Sequence, residues 1–397
     1  MRRFRFVLTI LSLFSAPLLF AQQKPVPDGP VVGTSIGGLF AASPQATKVW
    51  DIYRDGANCY GQDLGTVLHR QGWDRWLIFY GAVSDQFGGF TSCPDTRVYP
   101  ACGTNLGDYS ENIWLTWSMT DGKEFGQEAG VKPPVLLLTS LDFARWYNSH
   151  LPPDTPIRYV GNGTRWLIGD PAVGVGESGI WYMFFDTQGA GCGNVPGVYE
   201  PQNGIYVATS DSWHSDWEIR GKPTLPGAQE FVFPSIFREP DTGEIFLYYG
   251  DRNVTIRGAK VVDDGTGLTL EPLNGGNPVI SDGCCLADRI SVFKYNGKYY
   301  AITDRFGEGK PESMNTLYLL GPSDNPYGFD WSKKKSILER QDGTFYDQNL
   351  WAPNVVSPLD GDPANVRVYF WGAGTPGCWF GGHESAGLLE FPVSQLP

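Results

Sequence analysis

Five times along this 397-residue chain, a short apolar strand turns into a second strand that is aromatic or β-branched at nearly every position. The second strands read Trp76-Leu-Ile-Phe-Tyr80, Trp181-Tyr-Met-Phe-Phe185, Ile245-Phe-Leu-Tyr-Tyr249, Lys298-Tyr-Tyr-Ala-Ile302 and Val366-Arg-Val-Tyr-Phe-Trp371. A strand with one face in water alternates apolar and polar residues; these do not, so both of their faces must be covered. Shorter strands precede them, beginning at Gln62, Asp170, Phe233, Asp288 and Ala352. Third strands follow at Ile113–Trp117, Gly204–Ala208, Thr316–Leu320 and Ser385–Leu389.

A repeated hairpin that must be covered on both sides is satisfied by copies of itself stacked on each side. Closing five copies into a ring gives an all-β fold, a five-bladed β-propeller with four-stranded antiparallel blades, whose first strands line a central channel. The competing architecture, a two-sheet sandwich with a small second domain, would need Greek-key crossings and fewer hairpins. The 50 glycines and 30 prolines fit many short strands joined by tight turns. One stretch, Ser140 to Asn148, reads as a short helix capped by Ser140. The repeats are unevenly spaced, with 105 residues from Gly81 to Asp186 and then 64, 54 and 68 to Gly250, Asp304 and Gly372. The excess is a long insertion over residues 84–161, expected either to cross the pocket face or to form a structural flap.

Residues 1–21 carry Arg2, Arg3 and Arg5, then the apolar run VLTILSLFSAPLLF, and end in Ala21 before Gln22. This is the pattern of a secretory signal peptide, too short to span a bilayer comfortably. Residues 22–58 then form an extension or a blade-closing segment, and 59–397 the propeller. Losing three arginines takes the formal charge from −13 to −16. An acidic exported chain is a poor partner for nucleic acid or anionic membrane surfaces. The expectation is a secreted or periplasmic monomer without membrane association after cleavage. Its seven cysteines then favour disulfides, with one thiol left over. Cys93 and Cys102 are the pair expected from their shared loop. The adjacent Cys284 and Cys285 either find separate partners or form a vicinal bridge, and Cys59, Cys192 and Cys378 complete the set.

Acids recur at the starts of the first strands: Asp63, Asp170 and Asp288, with Glu230 shortly before the blade 3 strand. Carboxylates gathered around one channel raise one another's pKa values, an arrangement that serves acid/base catalysis or cation binding. Glycoside hydrolysis needs such a set: one protonated carboxyl for the leaving oxygen, one ionised carboxylate to activate water or attack, and neighbours that hold their pKa values apart. For each acid taken singly, an Asx turn or cap is the structural alternative. Arg289 and Arg252 are candidate ion-pair partners that would hold acids in place. Trp73, Trp114, Trp351 and Trp379 are candidate sugar-stacking aromatics, set against a role in blade core. The four histidines show no paired spacing, and neither a nucleophile elbow nor a phosphate loop is present. No cofactor is expected; the acid density allows a structural calcium ion.

The serial hairpins, the strand-start acids and GDPAV…GIWYMFFDT together resemble the five-bladed propeller glycosidases of glycoside hydrolase family 43 and its relatives, which act on arabinofuranosides, xylosides and fructosides. Within that set, GQDLGTVLHRQGWDRWLIFYGAVSD resembles the first blade of endo-D-arabinanase propellers. The resemblance covers Asp63 to about Pro392. It implies that Asp63 is the general base, Asp170 the acid that orients and tunes, and Glu230 the general acid. Family 43 places the blade 3 Glu two residues before Pro; here Val232 holds that place and Glu230 stands four before Pro234, which leaves Asp288 as the substitute acid. WAPN at Trp351 echoes the family's WAPD with Asn354 at the acid position, which argues for a shared strand shape. Arg289, Trp351 and Asn354 join the tryptophans as candidate substrate-binding residues. The implied activity is hydrolysis of furanose-containing polysaccharide or oligosaccharide, arabinan above xylan or fructan, with inversion. Two alternatives stand beside it: a non-catalytic carbohydrate-binding propeller, and a structural or protein-binding propeller, which would show a flat aromatic face and acids paired with arginine.

Overall fold

The computed structural model describes residues 46–51, 60–85, 109–126, 134–150, 165–176, 178–190, 204–225, 231–251, 255–263, 268–281, 289–307, 310–347, 349–373 and 384–397. All seven cysteines lie outside these residues. Strand β1 (Thr47–Asp51) is the first element among the described residues. Blade 1 comprises β2 (Tyr60–Leu68), β3 (Trp76–Asp85), β4 (Tyr109–Ser118) and β5 (Val135–Leu138). Blade 2 comprises β6 (Arg165–Val175), β7 (Trp181–Ala190), β8 (Gly204–Ser210) and β9 (Glu218–Gly221), and one parallel bridge, Glu111 to Leu167, links it to blade 1. Blade 3 holds β10 (Phe231–Arg238), β11 (Ile245–Asp251), β12 (Thr255–Asp263) and β13 (Leu268–Pro272), with β14 (Ile280–Ser281) also on β12. Blade 4 holds β15 (Ile290–Tyr295), β16 (Lys298–Gly307), β17 (Lys310–Ser323) and β18 (Lys335–Glu339). Blade 5 is β19 (Asn349–Val356), β20 (Asn365–Ala373) and β21 (Glu384–Pro392), and its fourth strand is β1, antiparallel to β21. Pairing the start of the described chain with its end closes the ring, so no blade is left with a three-stranded edge.

The period-2 geometry of a strand explains the aromatic runs, because successive side chains point to opposite faces and here each face meets a neighbouring blade. In β3, Trp76, Ile78 and Tyr80 enter the core shared with blade 5, while Leu77 and Phe79 enter the core shared with blade 2. In β7, Trp181, Met183 and Phe185 face blade 1, and Tyr182 and Phe184 face blade 3. In β20, Val366, Val368 and Phe370 face blade 4, and Tyr369 and Trp371 face blade 1. The core is therefore five wedges, one at each joint between blades, and the sandwich alternative is excluded.

Around the channel the first strands are tied sideways by short polar side chains. Thr66 Oγ1 donates to the carbonyl of Pro171 (3.0 Å) and accepts from the amide of Val173 (2.9 Å), joining blades 1 and 2. Ser235 Oγ donates to the Ile290 carbonyl, Ser291 Oγ accepts from Val355 N (2.8 Å), and Asn354 Oδ1 accepts from Val67 N (3.0 Å). The joint between blades 2 and 3 is built differently: Ala172 stands in the apolar wedge there, and Tyr182 Oη donates to Asp263 Oδ2 at 2.6 Å. Inner strands ordinarily leave amides and carbonyls unpaired on their channel edge; this belt satisfies several of them.

Besides the shift between Leu64 and Thr66 in β2, three inner strands carry an X-Pro bulge at this level, between Gly169 and Ala172, Val232 and Ser235, and Trp351 and Asn354. Each bulge contains a residue with positive φ directly before a proline: Asp170 (50°), Phe233 (57°) and Ala352 (52°). Such a conformation is costly for residues with a Cβ and persists where the surroundings hold it.

The described parts of the long insertion supply β4, β5 and the helix α1 (Ser140–Ser149). The cap of α1 is Thr139 and not Ser140: Thr139 Oγ1 accepts from Asp142 N at 2.9 Å, and Asp142 Oδ2 accepts from Thr139 N at 3.1 Å, a reciprocal capping box. Phe143 of α1 fills the wedge between blades 1 and 2 against Phe185 and Tyr206. Among the described residues no helix is long and apolar enough to cross a membrane.

Gly65 is the tightest point of the channel wall, since a Cβ there would lie 2.3 Å from the Pro171 carbonyl oxygen. Gly65→Ala is expected to destabilise the fold by about 3 kcal/mol, the upper part of the usual overpacking cost, measured by denaturant unfolding against the wild type.

Candidate functional site

The first strands all run the same way through the ring, so their starts gather at one mouth of the channel and their ends at the other. Asp63 stands near the start of β2, its backbone paired with that of Gly81. In blade 2 the residue paired with the strand-end position is Gly169, opposite Asp186, and Asp170 is the bulged residue after it. Gly169 thus stands at the place that Asp63 holds in blade 1, and Asp170 lies one residue beyond it, level with Leu64. Glu230, Asp288 and Trp379 lie outside the described residues.

Arg289, directly before β15, organises what is described of this mouth. Its guanidinium is buried and crosses the channel from blade 4, with Nη1 donating to the carbonyls of Leu64 and Gly65 in blade 1 and Nη2 donating to Asp170 Oδ1 in blade 2. Its own amide donates to Asp304 Oδ1 at 3.0 Å, and its carbonyl accepts from Thr303 Oγ1 at 2.7 Å. Asp170 and Arg289 are each only 2% exposed, so the pair lies below the surface of the mouth. The ion-pair role expected for Arg289 is present, and its partner is Asp170, 119 residues away in sequence.

Two further buried acids flank this pair, and neither stands out in the sequence. Asp186 ends the aromatic part of β7, is 1% exposed, and accepts from Phe233 N at 3.3 Å through Oδ2. Asp304 occupies the corresponding place in β16 and accepts from Ala352 N at 2.7 Å through its own Oδ2. Each acid thus holds the positive-φ residue that opens the next blade's bulge. Burial is the first cause that raises the Asp186 pKa well above the carboxylate range, and Asp170 adds to it. Burial likewise raises Asp304, opposed by the amides of Arg289 and Ala352. The signal that could have found them is the alignment of the repeats, where Asp186 and Asp304 stand in place of Gly81 and Gly250.

Several candidates are redirected by their surroundings. Trp73 sits in the turn joining β2 to β3, at the end of the channel away from the strand starts, with its ring 5.7 Å from Trp181. Trp114 is packed into the wedge between blades 1 and 5, where Trp351 is also buried. These three indoles serve blade packing, and Asn354 serves the polar belt. Among the described residues no His, Cys, Asp or Glu side chains group as metal ligands, and the centre of the acid group is already held by the guanidinium.

The opposite mouth is chemically different. A cavity of about 70 Å³ lies among the strand ends, with Arg70, Arg238 and Asp360 at its edge. Burial lowers the Arg70 pKa and raises that of Asp360.

Removing Arg289 would leave Asp170 buried without its counter-charge and free two carbonyls of blade 1. Arg289→Met is expected to cost about 3–5 kcal/mol, read from denaturant unfolding, because the isolated buried charge loses its compensation.

Neither a protein-family model nor a curated protein matches the sequence. Solved structures do match in fold. An α-L-arabinofuranosidase from Podospora anserina, in complex with cellotriose, has a TM-score of 0.51 at 12% identity over 90% of this chain and 99% of that one. A family 43 β-xylosidase/α-arabinofuranosidase from a compost microbial metagenome, in complex with xylotriose, has a TM-score of 0.50 at 13% identity over 87% and 94%. A family 117 glycoside hydrolase produced by the marine bacterium Zobellia galactanivorans has a TM-score of 0.50 at 13% identity over 87% and 89%. At these identities the likeness is one of fold, and the chain shares the five-bladed propeller of these glycoside hydrolases.

Proposed function

We propose that the chain is an exported glycoside hydrolase that cleaves furanose-containing polysaccharide, arabinan-like above xylan- or fructan-like, by carboxylate acid/base catalysis with water. The observation that carries this reading is the group of three buried acids, Asp170, Asp186 and Asp304, set around one guanidinium at the mouth where the first strands begin. So many carboxyls around one cation is an unfavourable arrangement for packing alone, and it is the kind of environment that sets neighbouring acids to different pKa values. The shared fold with glycoside hydrolases supports the reaction class.

In this reading Asp63 is the general base that takes the proton of the attacking water. Asp170 orients and tunes; its burial beneath the mouth and its pairing with Arg289 suit a residue that acts on neighbours and transfers no proton itself. Glu230 donates the proton to the leaving oxygen, with Asp288 as the substitute donor.

The Asp170–Arg289 pair is a mark of the structural or protein-binding alternative; a second reading of the mouth, a non-catalytic sugar-binding propeller, keeps the glycan and omits the proton transfers. The two differ in product release. Asp63→Asn is expected to lower turnover at least about 10²-fold with circular dichroism unchanged, and Asp170→Asn to lower it at least as far with an added loss of stability from the uncompensated Arg289 charge. The measurement is reducing ends released from plant and mycobacterial arabinans, xylan and fructans. Near-normal activity in both variants contradicts the residue roles, and glycan binding without product from the wild type favours the second reading.

A further inference from the structure

Two guanidiniums share the cavity at the strand-end mouth with a single described acid. Arg70 lies just beyond β2 in blade 1, Arg238 ends β10 in blade 3, and Asp360 stands in the turn after β19 in blade 5. Arg70 reaches the Val175 carbonyl through Nη2 at 3.4 Å and lies 5.9 Å over the Trp73 ring. Arg238 Nε is buried and has no hydrogen-bond partner. The acids that follow Arg238 are engaged elsewhere: Glu239 accepts from Lys294 Nζ at 2.7 Å and Tyr299 Oη at 2.5 Å, and Asp241 accepts from the same Lys294 at 2.6 Å. His69, also on the cavity wall, donates through Nδ1 to the Arg75 carbonyl at 2.8 Å. With His69 neutral, the described wall carries one more positive charge than its acid offsets, in a chain whose overall formal charge is −13.

We propose that this cavity is an anion site, in which a small oxyanion of the sulfate or phosphate class is held by Arg70 and Arg238 and ties blade 1 to blade 3. Like charges confined together destabilise one another, and a buried donor without an acceptor costs its desolvation. One oxyanion removes both costs, because its oxygens accept in the fork geometry that guanidinium donors present. The cavity volume of about 70 Å³ sets the size of the occupant. That is room for roughly two waters at their liquid volume, and it falls far short of the ~300 Å³ at which sites for larger organic molecules begin. Burial lowers the Arg70 pKa first and Arg238 lowers it further, the direction that two cations at one cavity require. The two mouths then differ in kind. At the strand starts the chain supplies both members of its ion pair, and at the strand ends it supplies cations for an ion taken from solution. The anion site is independent of the proposed hydrolysis.

Sulfate binding to the full-length protein, titrated calorimetrically at constant ionic strength against chloride, tests it. The wild type is expected to bind one sulfate saturably, and at about ten times the measured Kd its unfolding constant falls about tenfold. Arg238→Gln is expected to abolish both responses. In chloride alone the same variant unfolds no more readily than the wild type, since it removes a like charge and an unpartnered donor. Asp360→Asn moves the other way and tightens sulfate at least about threefold, because a competing negative charge is gone. Selenate soaked into wild-type crystals gives an anomalous peak in the cavity beside both arginines, a readout that needs no variant. Absence of saturable binding, a sulfate response that survives in Arg238→Gln, unchanged or looser binding in Asp360→Asn, or a selenate peak only elsewhere overturns the proposal. So does displacement of sulfate by glucuronate, a sugar acid whose ring exceeds the cavity.

Discussion

One guanidinium, that of Arg289, reaches three blades of the ring. It leaves blade 4, meets two backbone carbonyls of blade 1 and ends on the carboxylate of blade 2, all with almost no exposure to water. Burying a charge costs heavily unless an opposite charge and hydrogen-bond acceptors lie within reach. That requirement explains its neighbours. Gly65 tolerates no Cβ because one there would lie 2.3 Å from the Pro171 carbonyl oxygen. Asp170 adopts positive φ in a bulge that places its carboxylate on the guanidinium. The Arg289 amide is held in turn by Asp304.

Around this centre the structure uses two kinds of tie. Aromatic wedges at the five joints supply most of the burial, and they do so without direction. The polar belt and the two acid latches, Asp186 on Phe233 and Asp304 on Ala352, supply register. A one-residue slip of an inner strand would turn its side chains to the opposite face and break its own bonds in this belt. The same latches position the bulges, so the acids that hold the blades together also shape the mouth where chemistry is proposed.

The aromatic runs make the architecture legible in the sequence, because a strand covered on both faces has few places to go other than between two like blades. Asp170 and Arg289 are also legible, one from its strand-start position and the other as a cation near a run of acids. Their pairing is not, since it joins residues 119 apart and depends on how the ring closes. Asp186 and Asp304 are hidden for a different reason: they replace glycines at the ends of second strands, where an Asp reads as a turn residue, and only burial sets them apart. The tryptophans mislead in the opposite sense. A sequence shows that Trp73 and Trp114 are large and flat; it does not show that one sits at the far end of the channel and the other inside a wedge.

If the proposed chemistry is correct, substrate sits at the mouth formed by the starts of β2, β6, β10, β15 and β19, above the Asp170–Arg289 pair. The most direct measurement is a crystal structure of the Asp63→Asn variant with an arabino-oligosaccharide. A sugar ring seated over those strand starts, with the Asp170–Arg289 pair intact beneath it, is the predicted result. A ring bound at the opposite mouth beside Arg70, Arg238 and Asp360, or on the outer face of a blade, would contradict it.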